Sequence, residues 1–210
     1  MPDTITKSWG YSLLLVLLTC AAYSYTVQCG WIWDDPSYVT ENRTLVEPGG
    51  LSRIWLEQNA NAQYYPMVFT SFWIEHQLWG LKPLGYHVVN VLLHALTAVL
   101  WWRLLLKLGV PGAWMAAAVF ALHPVHAESV AWITERKNVL SGVFYVSALL
   151  AWMRYCPLHM DLPVKQRHYR AYIAAILLYV CALLSKSVTA TLPAAIMLGL
   201  WWQRGKLRAI

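Results

Sequence analysis

The sequence predicts an all-α membrane protein, a multi-pass bundle of about six transmembrane helices with a long first outer loop. Two observations predict this class. Of its 210 residues, 59% are hydrophobic and only 12% are charged, which is too apolar for a soluble domain of this length. Its 13 Trp and 12 Tyr residues are typical of the aromatic belts that lie at the two membrane–water interfaces.

Apolar segments separated by turns and basic residues give the predicted spans. The first runs from Trp9 to about Gln28, close to the ~20 residues needed to cross the hydrocarbon core. A cleaved signal peptide is the alternative, but the apolar run continues past Cys20, so we interpret it as an uncleaved helix. Further spans are predicted at residues 86–106, 139–153, 171–184 and 192–202, with a broken one at 113–138.

The first outer loop is predicted between Gly30 and Gly85. Within it, Leu51–Glu57 and Val68–Trp79 combine bulky apolar side chains with charged ones, as helices lying in a membrane interface do. Two such helices would lie flat over the bundle and cover whatever is beneath them.

The distribution of charge predicts the orientation and excludes one class of partner. The net charge is +6, but the basic residues lie mainly at the ends of apolar segments, where topology and lipid headgroups explain them. Nucleic acid is therefore excluded as a partner, and membrane lipids are expected. In the predicted topology, most of the 16 Lys and Arg residues lie on the same side of the membrane as the amino terminus. This places the amino terminus in the cytoplasm and the long loop outside.

An acidic pair, Asp34 and Asp35, follows the first span in the sequence WIWDDPSYV. Carboxylates at the mouth of a membrane helix are costly to hold near lipid unless they contact water, a cation or a substrate. The simpler alternative is that both carboxylates only solvate the first turn of a loop.

The apolar segment Ala113–Leu122 is too short to cross a membrane alone. Pro124 breaks the helix after it, and irregular backbone at membrane depth requires surrounding protein or a water-filled cavity. The polar side chains expected beside this cavity, on the same outer face as the acidic pair, are His123, His126, Glu128 and Glu135. A zinc site is disfavoured because Pro124 separates the two histidines and no further ligand is obvious.

Three basic residues lie at predicted outer helix ends, against the usual charge bias: Arg136, Lys137 and Lys186. Arg can bind a lipid-linked phosphate through a planar fork and Lys as a point charge. Ordinary snorkelling of these side chains to the headgroups is the alternative. In the second span, His87, Asn90 and His94 share one helical face, which predicts that this face is turned into the bundle.

Three segments resemble the membrane half of the transmembrane and tetratricopeptide-repeat O-mannosyltransferase family: WDDPSYV, FTSFWIEHQLWGLKPLGYHVVNVLLHA and FALHPVHAESVAWITERKNVLSGVFY. The resemblance implies a GT-C glycosyltransferase fold, a polyprenyl-phosphate-linked sugar donor, and a protein hydroxyl as acceptor for mannose or a similar sugar. It also implies that residues 1–210 are the amino-terminal membrane portion of a longer protein, whose repeat domain this chain lacks. The active face would be periplasmic, extracellular or in the lumen of the endoplasmic reticulum.

The resemblance also implies roles for the candidate residues. Asp34 would be the general base toward the acceptor, and Asp35, the other member of the catalytic pair, would position the acceptor or the base. Arg136, Lys137, Lys186 and His126 would bind the donor phosphate, supported by His87, His123, Glu128 and Glu135. This inverting displacement needs no metal, although Asp34 and Asp35 could hold Mg²⁺ or Mn²⁺, which we do not favour. A non-catalytic membrane scaffold and a transporter-like bundle are the alternatives.

Overall fold

The computed structural model of the protein describes residues 2–156 and 168–204. Within these ranges every regular element is helical and no β-strand occurs, which confirms the all-α class. The connection between the predicted spans at 139–153 and 171–184 lies mostly outside the described residues. The α-helices are α1 (Pro2–Ala22), α2 (Gly50–Leu56), α3 (Pro66–Trp79), α4 (Pro83–Lys107), α5 (Ala113–Leu122), α6 (Ala127–Ala131), α7 (Arg136–Tyr155), α8 (Tyr169–Leu183) and α9 (Leu192–Arg204).

Helix α4 is the centre of the bundle and packs against α1, α5 and α7. Its 25 residues make it the one helix in the described ranges that is long and apolar enough to cross a membrane. Shorter apolar helices lie at Trp9–Ala22, Ala113–Leu122, Tyr169–Leu183 and Ser187–Trp202. One candidate span is therefore established, and the prediction of about six spans stays a prediction.

The polar face of α4 is turned into the protein, as predicted. His87, Asn90 and His94 are all buried. Asn90 donates a hydrogen bond to the carbonyl of Trp132, and His94 Nε2 lies 3.1 Å from the carbonyl oxygen of Ala121. These contacts satisfy polar groups that would otherwise be costly in an apolar interior. The His94 contact joins α4 to α5, and the Asn90 bond joins α4 to the irregular connection between α5 and α7.

The long segment between α1 and α4 folds over one end of the bundle. Helices α2 and α3 form at the two predicted places. An aromatic cluster, which includes Tyr38, Phe69, Phe72 and Tyr86, packs the segment against Ile133. Helix α2 begins at Gly50, where a Cβ atom would lie 1.9 Å from the carbonyl oxygen of Thr44, so only glycine fits there.

The connection between α5 and α7 is broken, as predicted, and runs through residues 123–135. Helix α5 ends at Leu122 because Pro124 requires extended backbone at the residue before it, and His123 has φ −67° and ψ 129°. Two short 3₁₀ helices, Pro124–His126 and Ile133–Glu135, flank α6. This connection lies directly beneath the segment that carries the acidic pair.

Candidate functional site

The two neighbouring carboxylates have opposite environments. Asp35 is fully buried, and its carboxylate accepts hydrogen bonds from the backbone N–H groups of Ile32 at 2.9 Å and Thr134 at 3.1 Å. Asp34 is exposed, and its carboxylate makes no hydrogen bond with the described residues. The two carboxylates therefore do not face a single reactant, because that of Asp35 is turned into the protein.

Asp35 fastens the long segment to the broken connection. Burial raises the pKa of its carboxyl group above the usual value, while the N–H groups of Ile32 and Thr134 act in the opposite direction. The side chain of His87 is buried close enough to Asp35 to interact with it electrostatically. Neither ring nitrogen of His87 forms a hydrogen bond with the described residues. His87 therefore lies behind Asp35, away from the exposed carboxylate of Asp34.

The backbone beside Asp34 is strained. Trp33 has a φ of 46°, a left-handed conformation that costs about 1–3 kcal/mol in a bulky residue and persists only when its surroundings impose it. Its indole ring packs edge-on against Trp132, with ring centroids 4.8 Å apart. A single π-helical turn, Pro36–Thr40, follows. Together these features present the carboxylate of Asp34 on the surface above the connection.

Tyr38 links Asp34 to the residues at the start of α7. Its ring stacks on Phe69, and its hydroxyl donates a hydrogen bond to Gln63. Burial, followed by the charges of Asp34, Tyr65 and Glu135, raises the pKa of Tyr38 to about 12. The backbone N–H of Tyr38 donates to the carbonyl of Asp34 at 3.2 Å, and Lys137 Nζ lies 5.7 Å from the centre of the Tyr38 ring.

Glu135 begins a chain of polar side chains. It forms an ion pair with Lys137 at 2.8 Å and accepts a hydrogen bond from the amide of Asn138. The same amide donates to Ser129 at 2.9 Å, and the ammonium of Lys186 donates to the Asn138 carbonyl oxygen. Lys137 and Lys186, two of the predicted phosphate-binding cations, are thus joined through Glu135 and Asn138. We call these four residues the polar chain.

The polar chain leads into a cavity of about 360 Å³. Lys186, Asn138 and Ser129 form part of its wall, and Tyr145 and Thr191 lie near its rim. The ring of His126 also lines the cavity, with its centroid 4.5 Å from that of Phe120. The cavity therefore combines cationic and hydrogen-bonding groups with aromatic surface, which suits a ligand that is polar at one end and apolar at the other.

Arg136, predicted to bind the donor phosphate, is instead fully buried. A guanidinium has five N–H donors, and acceptors in the described residues use all five. The acceptors are the two carboxylate oxygens of Glu75, Asn90 Oδ1, Ser71 Oγ and the carbonyl of Tyr86. No donor is left for a phosphate, so Arg136 holds α3, α4 and α7 together.

The remaining predicted residues lie at the edge of this arrangement. The exposed ring of His123 accepts a hydrogen bond from the backbone N–H of Val125 and so caps the 3₁₀ helix after it. Glu128 is exposed and forms no ion pair within the described ranges. In residues 2–156 and 168–204, no three His, Cys, Asp or Glu side chains form a group that could hold a metal ion.

Sequence reasoning did not identify three residues that build the site: Tyr38, Trp132 and Asn138. The signal for Asn138 was present, since it is a polar residue that directly follows Glu135, Arg136 and Lys137 at the start of an apolar helix. No sequence signal distinguishes Tyr38 or Trp132 from the many other aromatic residues of this chain.

The fold and the site define a class of protein. In the described residues it is a helical protein with a membrane-length helix, and both the exposed Asp34 segment and a cavity lined by Lys186 and His126 adjoin the broken connection between α5 and α7. Over 151 residues, or 67% of the chain, it is 29% identical to protein O-mannosyl-transferase TMTC3 of Mus musculus. It is 32% identical over 150 residues to TMTC2 of Mus musculus and 30% identical over 186 residues to Tmtc1 of Drosophila melanogaster.

The chain is therefore a distant homologue of the TMTC protein O-mannosyl-transferases. The three alignments cover 66–83% of this chain but only 16%, 18% and 21% of the relatives, so the chain spans about a fifth of their length. No protein-family model matches the sequence. No solved structure matches it either.

Proposed function

We propose that the chain forms part of a membrane glycosyltransferase that moves a sugar from a polyprenyl-phosphate donor to a hydroxyl group of a protein. The homology to protein O-mannosyl-transferases supports the reaction class. One observation carries the assignment to this site. Asp35, the neighbour of the exposed Asp34, binds the backbone N–H of Thr134, and Thr134 directly precedes Glu135, where the polar chain into the cavity begins.

The proposed reaction is an inverting single displacement. Asp34 takes the proton of the acceptor hydroxyl as its oxygen attacks the anomeric carbon of the sugar. A bond forms between this oxygen and the anomeric carbon, while the bond from that carbon to the phosphate oxygen breaks. The electron pair leaves with the polyprenyl phosphate, so the leaving group needs no proton.

Lys186 and His126 on the cavity wall, together with Lys137 of the polar chain, would stabilise the departing phosphate. Lys186 donates to an uncharged amide and forms no ion pair in the described residues, so its positive charge is available to an anionic ligand. Lys137 is partly neutralised by Glu135. His126, on the cavity wall, can donate a further hydrogen bond. We therefore propose Lys186 as the principal phosphate contact, assisted by Lys137 and His126.

Asp34 is a better candidate for the base than Asp35. A general base must come within hydrogen-bond reach of the proton that it removes, and only Asp34 is exposed. Asp35 holds the backbone just before the base through its bond to Ile32, and fastens this segment to the broken connection through its bond to Thr134. Asp35 is therefore a positioning residue in this proposal.

The test replaces Asp34 by Asn in the full-length protein and measures sugar transfer in membranes. We expect turnover to fall by about 10²- to 10⁴-fold, with donor binding unchanged. Glu41→Gln is the matched control, because Glu41 is an exposed carboxylate of the same segment, and we expect it to keep normal activity. Normal turnover by Asp34→Asn would refute the assignment and favour a non-catalytic scaffold or a transporter-like bundle.

A second variant, Lys186→Gln, tests the phosphate contact. Loss of a charge-assisted hydrogen bond should weaken donor binding by roughly tenfold or more, without changing acceptor affinity. The measurement is donor affinity in purified full-length protein, compared with Lys82→Gln, which removes an exposed cation that does not line the cavity. If the donor affinity of Lys186→Gln equals that of the control, Lys186 does not contact the phosphate.

A further inference from the structure

A second cleft lies where α4, α7 and the beginning of α8 meet. Its volume is about 710 Å³. Five basic side chains line it, and Leu and Ala side chains make up the rest of its lining, with no carboxylate among them. The basic residues are Arg103, Lys107, Arg154, His168 and Arg170. We call this cavity the basic cleft.

No carboxylate of the described residues compensates the positive charge of the basic cleft. None of its five basic side chains takes part in the ion pairs of the described residues. Arg103 and Lys107 are four residues apart on α4, an arrangement in which like charges repel. Arg170 lies in the first turn of α8, which has no acidic residue, and a cation there opposes the helix dipole. An anion in the cleft would relieve both unfavourable arrangements.

The basic cleft is at the opposite end of α4 from Asp34. His87, in the first turns of α4, is close enough to Asp35 to interact with it, whereas Lys107 is the last residue of α4. At 1.5 Å per residue, the helix between them is roughly 30 Å long, which matches the hydrocarbon thickness of a bilayer. If α4 crosses a membrane, the cleft lies at the level of the headgroups on the other surface.

We propose that the basic cleft binds a phosphate-bearing anion, supplied by the headgroup of an anionic lipid or by a soluble phosphate. Two or more arginines can bind phosphate oxygens through planar forks. Leu100 and Leu150 in the lining offer apolar surface to an adjoining acyl chain. Basic pockets between membrane helices bind anionic headgroups by this combination of contacts.

Ordinary topology signals would explain basic residues at helix ends without any ligand. Such residues interact with headgroups through general attraction, to which every exposed cation contributes. The proposal differs because it assigns binding to the residues that converge on this cleft. Removing charge from the cleft must then have an effect that the removal of equal charge elsewhere does not have.

The experiment compares two double variants of the full chain, purified in detergent. Arg103→Gln/Arg154→Gln removes two charges from the basic cleft. Arg43→Gln/Lys82→Gln, the matched control, removes two exposed cations outside it. Native mass spectrometry measures retention of phosphatidylglycerol relative to phosphatidylcholine, and calorimetry measures binding of inorganic phosphate. Arg103→Lys/Arg154→Lys keeps the charge and reveals any effect on folding.

We expect phosphatidylglycerol retention to fall at least about fivefold in the cleft variant, with the control unchanged and the Lys variant close to the original protein. Saturable binding of inorganic phosphate that also depends on Arg103 and Arg154 would identify a soluble anion as the ligand. Two results would overturn the proposal. One is that phosphatidylglycerol is retained no better than phosphatidylcholine and inorganic phosphate shows no saturable binding. The other is that the cleft variant and the control lose binding equally.

Discussion

At the scale of single residues, Asp34 and Asp35 show how adjacent identical side chains acquire different chemistry. The deciding groups are the two backbone donors, Ile32 and Thr134, that bind the carboxylate of Asp35. Trp33, held with a positive φ, turns the chain so that Asp34 remains in solvent. One carboxylate thereby stabilises the loop, and the other is free to contact a reactant.

The raised pKa of Asp35 predicts a pH dependence of stability. The folded protein holds this proton more tightly than the unfolded chain, whose Asp pKa is about 3.9. The stabilisation from protonated Asp35 is therefore complete below about pH 4 and is lost as the pH rises through the folded pKa. We expect Asp35→Asn, which cannot ionise, to flatten the dependence of melting temperature on pH above about pH 4.

The measurement is thermal unfolding of both proteins in detergent across acidic and neutral pH. Glu41→Gln serves as the control, since it removes an exposed carboxylate from the same segment and should leave the slope unchanged. A slope as steep in Asp35→Asn as in the original protein would show that another group causes the pH dependence.

At the scale of elements, the start of α7 organises the site. Arg136 binds Glu75 on α3 and Asn90 on α4 and lies over the ring of Phe72 at 5.1 Å. The next two residues, Lys137 and Asn138, belong to the polar chain. The helix terminus that locks three helices together thus also presents the cationic side of the site.

The buried pair of Arg136 and Glu75 predicts a strong stability effect. Both side chains are at most 5% exposed, so Glu75→Gln leaves a buried guanidinium without a counter-charge. Breaking such a pair from one side costs about 3–5 kcal/mol. We expect a large drop in the free energy of unfolding, measured by denaturant or heat, and partial recovery in Glu75→Gln/Arg136→Met.

Glu57→Gln is the matched control for this prediction. Glu57 pairs with Arg53 on the surface, where solvent screens the charges. We therefore expect Glu57→Gln to change the free energy of unfolding little or not at all. If Glu75→Gln and Glu57→Gln have equal stability, the buried pair is not the device that holds α3 against α7.

The elements could be predicted from sequence much better than the contacts between them. The break at Pro124 and the inward face of His87, Asn90 and His94 depend on local rules, and the structure confirms both. The partner of Arg136 could not be predicted, because Glu75 is 61 residues away in sequence. The sequence pattern around Glu75 predicts an interfacial helix, in which a carboxylate would be exposed. The burial of Glu75 and Arg136 depends on how α3, α4 and α7 pack together, which local sequence patterns do not specify.

At the scale of the whole molecule, α4 separates two polar regions of different charge character. Asp34 and the polar chain lie toward its beginning, and the basic cleft lies at its end. Among the described residues that line the basic cleft none is acidic, whereas the polar chain pairs Glu135 with Lys137. Such a division suits a protein whose two ends contact different media.

This division predicts opposite labelling of two introduced cysteines. In a background with the four native cysteines replaced by Ala, Asn59→Cys should react with a membrane-impermeant reagent from outside. Pro111→Cys, beyond the end of α4, should react only after permeabilisation. Both positions are exposed, so accessibility within the protein is matched. Labelling of both cysteines from the same side would contradict a crossing by α4.

The bond between Asp35 and Thr134 has a consequence for biosynthesis. The two residues are 99 positions apart, and a ribosome adds about 5–20 residues per second. Thr134 is therefore synthesised roughly 5–20 s after the segment that contains Asp34 and Asp35. During that interval the segment with Asp34 and Asp35 lacks the bond that joins it to the connection before α7.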